Sequence, residues 1–399
     1  MVVGYSYWGF LGDKKLDDCG NELSTPDGNA FYSWSIIWDL VRKGHEVIRV
    51  MPDRDKPGYN KFGDKLFSSF AQEKRCQAYG KSKQVPYDWG WREWPDVTEE
   101  QVHALWDTAG LQSCDVILHE WRMGILGRND IKSKSLGFRS WQPDLFLQTC
   151  LIAYCAKNAI KLIVFDLDYK LSHYQAVGMS KKLGRHNFCI FELGDKWRKE
   201  RIDLLSETVF VPFDFDEIYT FKPKLDVSDS LVYVGNRYER DWCIDKYIPE
   251  HEAGVVVYGN WLEGGRDSAS RWPGIDFRKR INASEMYEAY SNAACTILLA
   301  KRDYCLHHFM TARLVEAVFY GAVPLFIEEY GEEYIRHLVG SDVKYLIVKS
   351  KEEVAEKMRR YKKLTSIRAC TLRFLREALH NKFDVVNFTT KLFEFISQK

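Results

Sequence analysis

The feature that most constrains this chain is a repeated alternation between short apolar runs and longer segments with helical spacing. Residues 2–6 form an apolar run of strand length at the start of the chain. Residues 30–43 then place apolar side chains on one face of a helix: Phe31, Trp34, Ile37, Trp38 and Val41. Gly44 ends this helix, and residues 46–51 form the next strand. Strand–helix–strand order predicts a parallel sheet covered by helices.

The alternation continues through the chain and restarts once. In the first half we predict strands at 115–119, 162–165, 188–191 and 208–211, with helices at 99–109 and 143–158. Residues 214–230 are acidic and polar, which is typical of a linker. After it we predict strands at 231–234, 255–258, 296–299, 323–327 and 345–348, with helices at 242–247, 284–292, 311–320 and 351–361. The pattern therefore predicts an α/β protein with two Rossmann-like domains, 1–225 and 226–380.

The last segment, 381–399, contains an amphipathic helix at 383–396, which we expect to cross back to the first domain.

Composition excludes several classes of protein. Hydrophobic residues make up 46% and charged residues 28%, so the chain can bury a full core, and a net charge of +1 excludes a polycation. The 10 cysteines form no Cys-x-x-Cys pair, which argues against a zinc ribbon or a disulfide scaffold. The start lacks the marks of a signal peptide, and no apolar run reaches about 18 residues. We expect no membrane span and a cytoplasmic location.

The strongest motif is the stretch MTARLVEAVFYGAVPLF at residues 310–326. A helix that begins near Arg313 can hold a diphosphate through its free amides, its dipole and the guanidinium. A carboxylate one turn further, Glu316, can accept hydrogen bonds from two ribose hydroxyls. Gly321 permits the tight turn into the strand that contains Pro324. The alternative interpretation is an ordinary glycine-capped helix.

Two weaker motifs precede it in the chain. The stretch YVGNRYERDW at residues 233–242 is a strand that ends in a Gly-Asn-Arg turn and enters a helix. The stretch VYGNW at residues 257–261 is a strand end with a glycine, against which a nucleotide base could pack. The first glycine-rich loop, residues 4–13, also follows a strand. Each of these alone is unspecific, and a surface turn with a paired arginine explains the first equally simply.

In this order the three motifs resemble the nucleotide-sugar site of GT-B glycosyltransferases, and the VGNRYER stretch is also similar to the CgeB type from spore maturation. The resemblance implies a GT-B fold, with two Rossmann-like domains that face each other across a cleft. It implies transfer of a sugar from a nucleotide-diphosphate sugar, with a UDP-sugar expected. The donor-binding residues that it implies are Gly12, Gly235, Asn236, Arg237, Arg240, Tyr258, Gly259, Thr311, Arg313 and Glu316.

The resemblance also implies that no cofactor and no catalytic metal are required. Asp166-Leu-Asp168 matches the metal-binding Asp-x-Asp of GT-A enzymes, but GT-A folds do not carry a second Rossmann half with the later motif. His307 and His308 have no acidic or cysteine partner at ligand spacing, so we expect them to line the cleft or to be structural.

Transfer with inversion needs a general base at the acceptor hydroxyl. Asp166, Asp168 and Glu120 are the candidates, because all three follow predicted strands, and the following resemblance makes Asp168 the first of them. The stretch VFDLD at 164–168 is similar to the acceptor-side strand of the phage DNA α-glucosyltransferase, although the flanking histidines of that enzyme are absent here. A helix N-cap or a loop ion pair explains the two aspartates equally well.

Clusters of basic residues in the first domain indicate a nucleic-acid acceptor. Basic residues cluster in the first domain, as phosphate-binding surfaces require, and two tryptophans beside them could stack on a base. The candidates are Arg122, Arg128, Lys132, Lys134, Arg139, Lys181, Lys182, Arg185, Trp89 and Trp91. A solvated basic face with a small aromatic core is the simpler explanation.

Three hypotheses follow. The leading one is a monomeric phage enzyme, working in the host cytoplasm, that glycosylates 5-hydroxymethylated pyrimidines in double-stranded DNA. The second is a glycosyltransferase for a cell-envelope, spore-coat or protein acceptor. The third is a catalytically silent module that binds a sugar or nucleotide, against which the intact set of Arg313, Glu316 and Gly321 argues.

Overall fold

Two parallel β-sheets form the framework of the molecule. The structure is a computed structural model that describes residues 1–7, 15–16, 22–23, 30–50, 74, 77–78, 80–84, 97–121, 142–199, 204–218, 223–263, 268–281, 283–340 and 343–398. The strands in chain order are β1 (Val2–Ser6), β2 (Lys15–Leu16), β3 (Glu22–Leu23), β4 (Glu46–Arg49), β5 (Lys83–Gln84), β6 (Val116–Glu120), β7 (Lys161–Asp166), β8 (Phe188–Glu192), β9 (Ser206–Thr208), β10 (Asp229–Val234), β11 (Val255–Tyr258), β12 (Asp276–Arg278), β13 (Ala293–Leu298), β14 (Val323–Ile327) and β15 (Ile347–Val348).

Helices connect these strands. In chain order they are α1 (Ala30–Arg42), α2 (Glu99–Thr108), α3 (Gln142–Asn158), α4 (His173–Leu183), α5 (Lys196–Lys199), α6 (Phe215–Ile218), α7 (Asp241–Tyr247), α8 (Ser268–Arg271), α9 (Ala283–Ser291), α10 (Arg302–Leu306), α11 (Arg313–Tyr320), α12 (Glu332–Val339), α13 (Lys351–Lys363), α14 (Thr365–Phe383) and α15 (Val385–Ser397).

Each sheet has the open, doubly wound order that the alternation predicts. The first sheet runs β5-β4-β1-β6-β7-β8-β9 and the second β12-β11-β10-β13-β14-β15, with parallel neighbours throughout. Strands β6, β8 and β14 are buried at every residue, as expected for a sheet covered on both faces. In both sheets the strand order reverses at the first strand, from one side of it to the other, so a crevice opens next to β1 and next to β10.

The last two helices, α14 and α15, pack against elements of both halves of the molecule. Helix α14 packs against α11 and α12 of the second sheet, and α15 packs against α1 of the first. On α15 the Thr389 hydroxyl donates to the buried Asp39 carboxylate at 2.6 Å, and Phe388 lies against Phe165 of β7. One continuous apolar cluster therefore includes residues of both sheets and of α14 and α15. The domain limits at 225/226 and 380/381 stay predictions.

Several boundaries differ from the prediction for physical reasons. The strand predicted at 208–211 is β9, which stops at Thr208 because its partner β8 stops at Glu192 in the same register. The helix predicted at 311–320 begins at Arg313, so the amides before it lie outside the helix.

Helices α4, α12 and α14 were not predicted. The start of α4 carries a capping box in which Ser172 and Gln175 exchange hydrogen bonds, a signal the sequence did contain. Helix α14 follows Leu364, which offers no side-chain cap, so its start has no comparable mark. No helix within the described residues is long and apolar enough to cross a membrane.

Candidate active site

The second sheet places two of the donor motifs at the carboxyl ends of β10 and β11, and the third at the start of α11. Ligands of open parallel sheets bind at this edge, in the crevice where the strand order reverses. The loop after β10 begins with Gly235, and Lys301 comes three residues after the end of β13. Helix α11 starts beside them and returns to the sheet as β14. The three motifs of the sequence therefore meet at one edge.

Gly235 lets two side chains approach the backbone. A Cβ atom added there would lie 2.5 Å from the Tyr233 hydroxyl oxygen and 3.1 Å from the guanidinium carbon of Arg313. The loop is held in place because the Gly235 carbonyl accepts from the Trp261 indole at 2.8 Å. Gly259, with φ +145°, packs so closely that a Cβ would lie 2.2 Å from the Gly235 carbonyl oxygen. These two glycines bring two strand ends together.

Arg237 and Arg240 are both engaged by the protein itself. The Arg237 guanidinium donates twice to Asp241, at 2.7 and 2.6 Å. Arg240 is buried and donates to the carbonyl oxygens of Asn236 and Tyr238, at 3.3 and 2.9 Å. These contacts fix the shape of the loop after β10, and the expectation that Arg237 and Arg240 belong to the donor-binding residues stays a prediction.

Helix α11 presents a buried carboxylate with no partner. Glu316 is 5% exposed, and no hydrogen bond or ion pair to its carboxylate is found among the described residues. Burial raises the pKa of Glu316 to about 7, although the nearby Arg313 charge opposes the shift. Arg313 lies against the Tyr233 ring, with its guanidinium carbon 5.9 Å from the ring centre. Unpaired buried polar groups of this kind mark ligand sites.

The start of α11 also leaves amide groups available. The first backbone bonds of this turn are donated by Leu314 and Glu316, and the amides of Thr311, Ala312 and Arg313 find no acceptor in the described part of the chain. Free amides at a helix start bind anions. Gly321 ends the helix in the left-handed region, at φ +111°, as predicted.

Lys301 is a cation of this site that the sequence interpretation missed. Its ammonium nitrogen lies 4.3 Å from the centre of the Tyr238 ring and 5.2 Å from that of Tyr304, and Glu239 is 4.0 Å away. Burial lowers the pKa of Lys301. Its position directly after β13, at the crevice, was the signal that could have identified it.

Tyr258 lies at the other side of the crevice. Its hydroxyl accepts from Arg278 at 2.8 Å, and Arg278 also lies 5.5 Å from its ring centre. Asn260, two residues later, accepts from the Arg237 amide at 2.7 Å. Hydrogen bonds therefore fix the residues at the end of β11, which lie beside Gly235.

The carboxylates predicted on the first sheet have different environments. Asp166 is fully buried, accepts from the Lys170 and Leu171 amides at 3.0 and 3.3 Å, and has its pKa raised to about 6 by burial. It closes the turn after β7. The Glu120 carboxylate is 1% exposed and accepts from Tyr5 at 2.7 Å and Ser33 at 3.2 Å, inside a buried network.

Asp168 is the carboxylate that faces the second sheet. Its side chain is 53% exposed, and Lys170 donates to it at 2.6 Å. Burial raises the pKa of Tyr304 most, and the negative charge of Asp168 is the second cause of that increase. The same charge partly offsets the effect of burial, which lowers the pKa of Lys301. Of the three candidate bases, Asp168 alone combines exposure with proximity to the donor-side residues.

The predicted basic residues of the first domain are divided by the topology. Lys181, Lys182 and Arg185 are exposed, but they lie where α4 ends and the chain returns to the start of β8. That is the amino-end edge of the sheet, opposite to the edge that carries Asp168, and the expectation that these three residues bind DNA stays a prediction. Helix α5 follows the carboxyl end of β8 instead, and carries Arg198 and Lys199 at the cleft edge.

Other predicted residues lie outside the described part of the chain: Gly12, Trp89, Trp91, Arg122, Arg128, Lys132, Lys134 and Arg139.

His307 and His308 lie where the two halves of the chain meet. His308 Nδ1 is 2.8 Å from an Asp195 oxygen, and its ring stacks on Tyr334 at 4.5 Å. The described residues contain no group of three or more His, Cys, Asp or Glu side chains arranged to hold a metal.

Comparison with solved structures identifies the architecture. T4 phage β-glucosyltransferase in complex with UDP-glucose matches with a TM-score of 0.59 at 13% identity, and the match covers 100% of both chains. An α-glucosyltransferase in complex with UDP and a 13-mer DNA containing a HMU base gives 0.58 at 13% identity over 100% of both chains. Anabaena HepE in complex with UDP gives 0.55 at 12% identity, also over 100% of both. The T4 enzyme is also known in complex with UDP and Mn²⁺.

Of the family models and curated proteins compared with the chain, none matches. At these identities the structural matches establish the fold alone. The chain has the GT-B fold, the fold of UDP-sugar glycosyltransferases that include DNA-modifying phage enzymes, and the resemblance inferred from its motifs is confirmed at that level.

Proposed function

We propose that this protein transfers a sugar from a UDP-sugar to an acceptor hydroxyl. The observation that carries the proposal is the buried Glu316 carboxylate, which has no partner among the residues that the structure describes and lies one turn after the Arg313 guanidinium and the amides at the start of α11. The two hydroxyls of a ribose would donate hydrogen bonds to the Glu316 carboxylate. An adjoining diphosphate would supply the negative charge for Arg313 and the amides. UDP or UDP-glucose is the ligand of the three similar structures named above.

In this proposal the donor is held by residues of the second sheet. Glu316 accepts from the ribose, and Arg313, Lys301 and the amides at the start of α11 face the diphosphate. Arg237 and Arg240 act on the donor indirectly, because they hold the loop that contains Gly235 in its shape. Preorganised positive charge at the leaving group stabilises the transition state without reorganisation at the moment of reaction.

Asp168 is proposed as the general base. It takes the proton of the acceptor hydroxyl while that oxygen forms a bond to the anomeric carbon of the sugar. The bond from this carbon to the diphosphate oxygen breaks, and UDP leaves as an anion toward Lys301 and Arg313. This assignment applies to transfer with inversion, in which base and leaving group lie on opposite faces of the sugar. Closure of the cleft excludes water as a competing acceptor.

The acceptor that we propose is a 5-hydroxymethylated pyrimidine in double-stranded DNA. Two observations support it: the similarity in fold to a DNA-bound α-glucosyltransferase, and the exposed cations Lys170, Arg198 and Lys199 beside Asp168, of which Lys170 and Lys199 also pair with carboxylates of this edge. Phosphate backbones bind to such clusters in a salt-dependent way. Cell-envelope and protein acceptors are the alternatives that the experiment has to separate from DNA.

The test incubates the protein with a panel of UDP-sugars and duplexes that contain hydroxymethylcytosine, hydroxymethyluracil or unmodified bases. We expect a mass increase of one sugar on a hydroxymethylated duplex only, and loss of about a hundredfold or more in rate for Asp168→Asn with UDP affinity retained. Transfer in EDTA, compared with Mn²⁺, tests the prediction that no metal is required. Absence of UDP binding would refute the donor assignment, and UDP-sugar hydrolysis without DNA transfer would refute the acceptor.

A further inference from the structure

One tyrosine joins the turn that carries Asp168 to the second half of the molecule. Tyr169 follows Asp168 directly and has φ +54°, a conformation that side chains other than glycine adopt rarely. Its ring centre lies 4.8 Å from that of Phe309 and 6.1 Å from that of Tyr304. Its hydroxyl donates to the His307 carbonyl at 3.1 Å. All three contacted residues belong to the half that carries the donor site.

The His307 carbonyl is an anchor for the first half of the chain. It accepts from the Tyr169 hydroxyl and also from the Asp195 amide at 3.0 Å. The close approach requires Gly194, because a Cβ there would lie 1.9 Å from the Tyr169 hydroxyl oxygen and 2.2 Å from the His307 oxygen. The contact is therefore specific in shape as well as in hydrogen bonding.

The contacted segment carries both donor-side cations at its ends. Lys301 begins it after β13 and Arg313 ends it at the start of α11. Its middle is docked to the first half by two further contacts. The Lys199 ammonium donates to the Leu306 carbonyl at 2.9 Å, and an Asp195 oxygen lies 2.8 Å from His308 Nδ1. Residues 301 and 313, the ends of this segment, adjoin β13 and α11 of the second half. Residues 306–308, in its middle, are held by contacts with the first half.

We propose that Tyr169 is a positioning residue that sets the distance between Asp168 and the leaving-group cations Lys301 and Arg313. The inference rests on the proposed function, because it assigns a consequence to the geometry of that same site. Asp168 is exposed and sits in a turn, so its own contacts do not fix where it points relative to the donor. The neighbouring Tyr169 supplies the missing constraint. A displacement of about 1 Å between reacting groups can cost about a hundredfold in rate.

The variants are Tyr169→Ala, which removes the ring and the hydroxyl, and Tyr169→Phe, which removes the hydroxyl alone. The matched control is Tyr154→Phe, because Tyr154 also donates a hydroxyl bond, to Asp107 at 2.6 Å, but lies on α3 within the first half. Three quantities are measured: UDP affinity, the rate of transfer with the UDP-sugar and hydroxymethylated duplex that the wild-type protein uses, and amide hydrogen exchange at residues 304–309.

We expect Tyr169→Ala to lower kcat for transfer by about thirtyfold or more while UDP affinity changes by less than about threefold. Tyr169→Phe should show a smaller loss of about threefold to tenfold, and Tyr154→Phe no loss of rate. Exchange at 304–309 should accelerate in both Tyr169 variants and stay unchanged in the control. If Tyr169→Ala does not fold, Tyr169→Phe decides by the same measurements.

Unchanged transfer in the Tyr169 variants would overturn the inference, as would equal losses in UDP affinity and transfer, or unchanged exchange at 304–309. A wild-type protein that binds no UDP would instead refute the proposed function, and the exchange measurement would still show whether Tyr169 holds the segment. The two failures are therefore distinguishable.

Discussion

Arg313 and Glu316 show how one turn of helix keeps two opposite charges available to a ligand. They are three residues apart on α11, a spacing at which side chains are neighbours, yet no ion pair joins them. The guanidinium lies over Tyr233 instead, and Gly235 leaves the space for it. Because Glu316 is buried without a partner, the free protein bears a desolvation cost that a ribose with two hydroxyl donors would offset.

The role of Glu316 is tested by a pair of ligands that differ in one hydroxyl. Wild-type protein should bind UDP about tenfold or more tightly than 2′-deoxy-UDP, because a hydrogen bond to a charged group contributes about 1.5–3 kcal/mol. In Glu316→Ala the preference should shrink to less than about twofold, since the acceptor of that hydroxyl is gone. Titration calorimetry of both ligands with both proteins gives the coupling. A preference that survives the substitution would place the ribose elsewhere.

At the scale of the element, the sequence predicted what local signals encode. Helix α11 has apolar residues at helical spacing and a glycine at its end, and both signals lie within residues 313–321. Lys301 belonged to no motif, and its one local signal was a position three residues after β13, because its contact with Tyr238 depends on the folded chain. The pairing of Arg237, by contrast, was one of the alternatives that the sequence offered for this turn, and its partner Asp241 lies only four residues later.

Helix α15 is the element that closes the first sheet. It lies on α1, and its carboxyl end is capped by the Lys161 ammonium, which donates to the Ile396 and Gln398 carbonyls at 2.8 and 2.6 Å. In its middle, Thr389 reaches the buried Asp39, whose carboxylate also pairs with Lys43 at 2.6 Å. The last helix of the chain therefore stabilises the half that carries Asp168.

Thr389→Val should lower the free energy of unfolding by about 1–3 kcal/mol, because it removes a hydrogen bond from a buried carboxylate while keeping the side-chain volume. The neighbouring Thr390 is exposed and bonds only within its own helix, so Thr390→Val is the matched control and should change stability by less than about 0.5 kcal/mol. Urea unfolding of the two variants measures the difference. Equal stabilities would show that Asp39 is satisfied without Thr389.

At the scale of the whole molecule, three buried carboxylates with raised pKa values lie at the edges that face each other. Burial raises the pKa of Asp166 to about 6 and that of Glu192 to about 7 at the carboxyl ends of β7 and β8. Burial raises the pKa of Glu316 to about 7 on the opposite side. Ionisation of a buried carboxylate with a raised pKa lowers the free energy of unfolding. Proteins retain such groups mainly at functional sites. The GT-B arrangement places both sets at one cleft.

These shifts predict a dependence of stability on pH with a definite sign. The folded pKa of Glu316 is raised above the unfolded value of 4.5, so between about pH 4.5 and 7 the folded state retains a proton that the unfolded state has lost. Stability contributed by this group therefore falls as pH rises through that window. Glu316→Gln removes the titration, and its stability relative to wild type should rise by about 2–3 kcal/mol between pH 5 and pH 8.

Urea unfolding at pH 5, 6.5 and 8 measures this difference. Taking it between variant and wild type cancels the opposing contribution of His45, His307 and His337, whose pKa values burial lowers in both proteins. Glu333→Gln, at an exposed glutamate of α12, is the control and should show a constant difference at all three pH values. A constant difference for Glu316→Gln as well would mean that Glu316 is ionised throughout. Its pairing with Arg313 would then outweigh its burial, and a closed ion pair would replace the open acceptor on which the donor site depends.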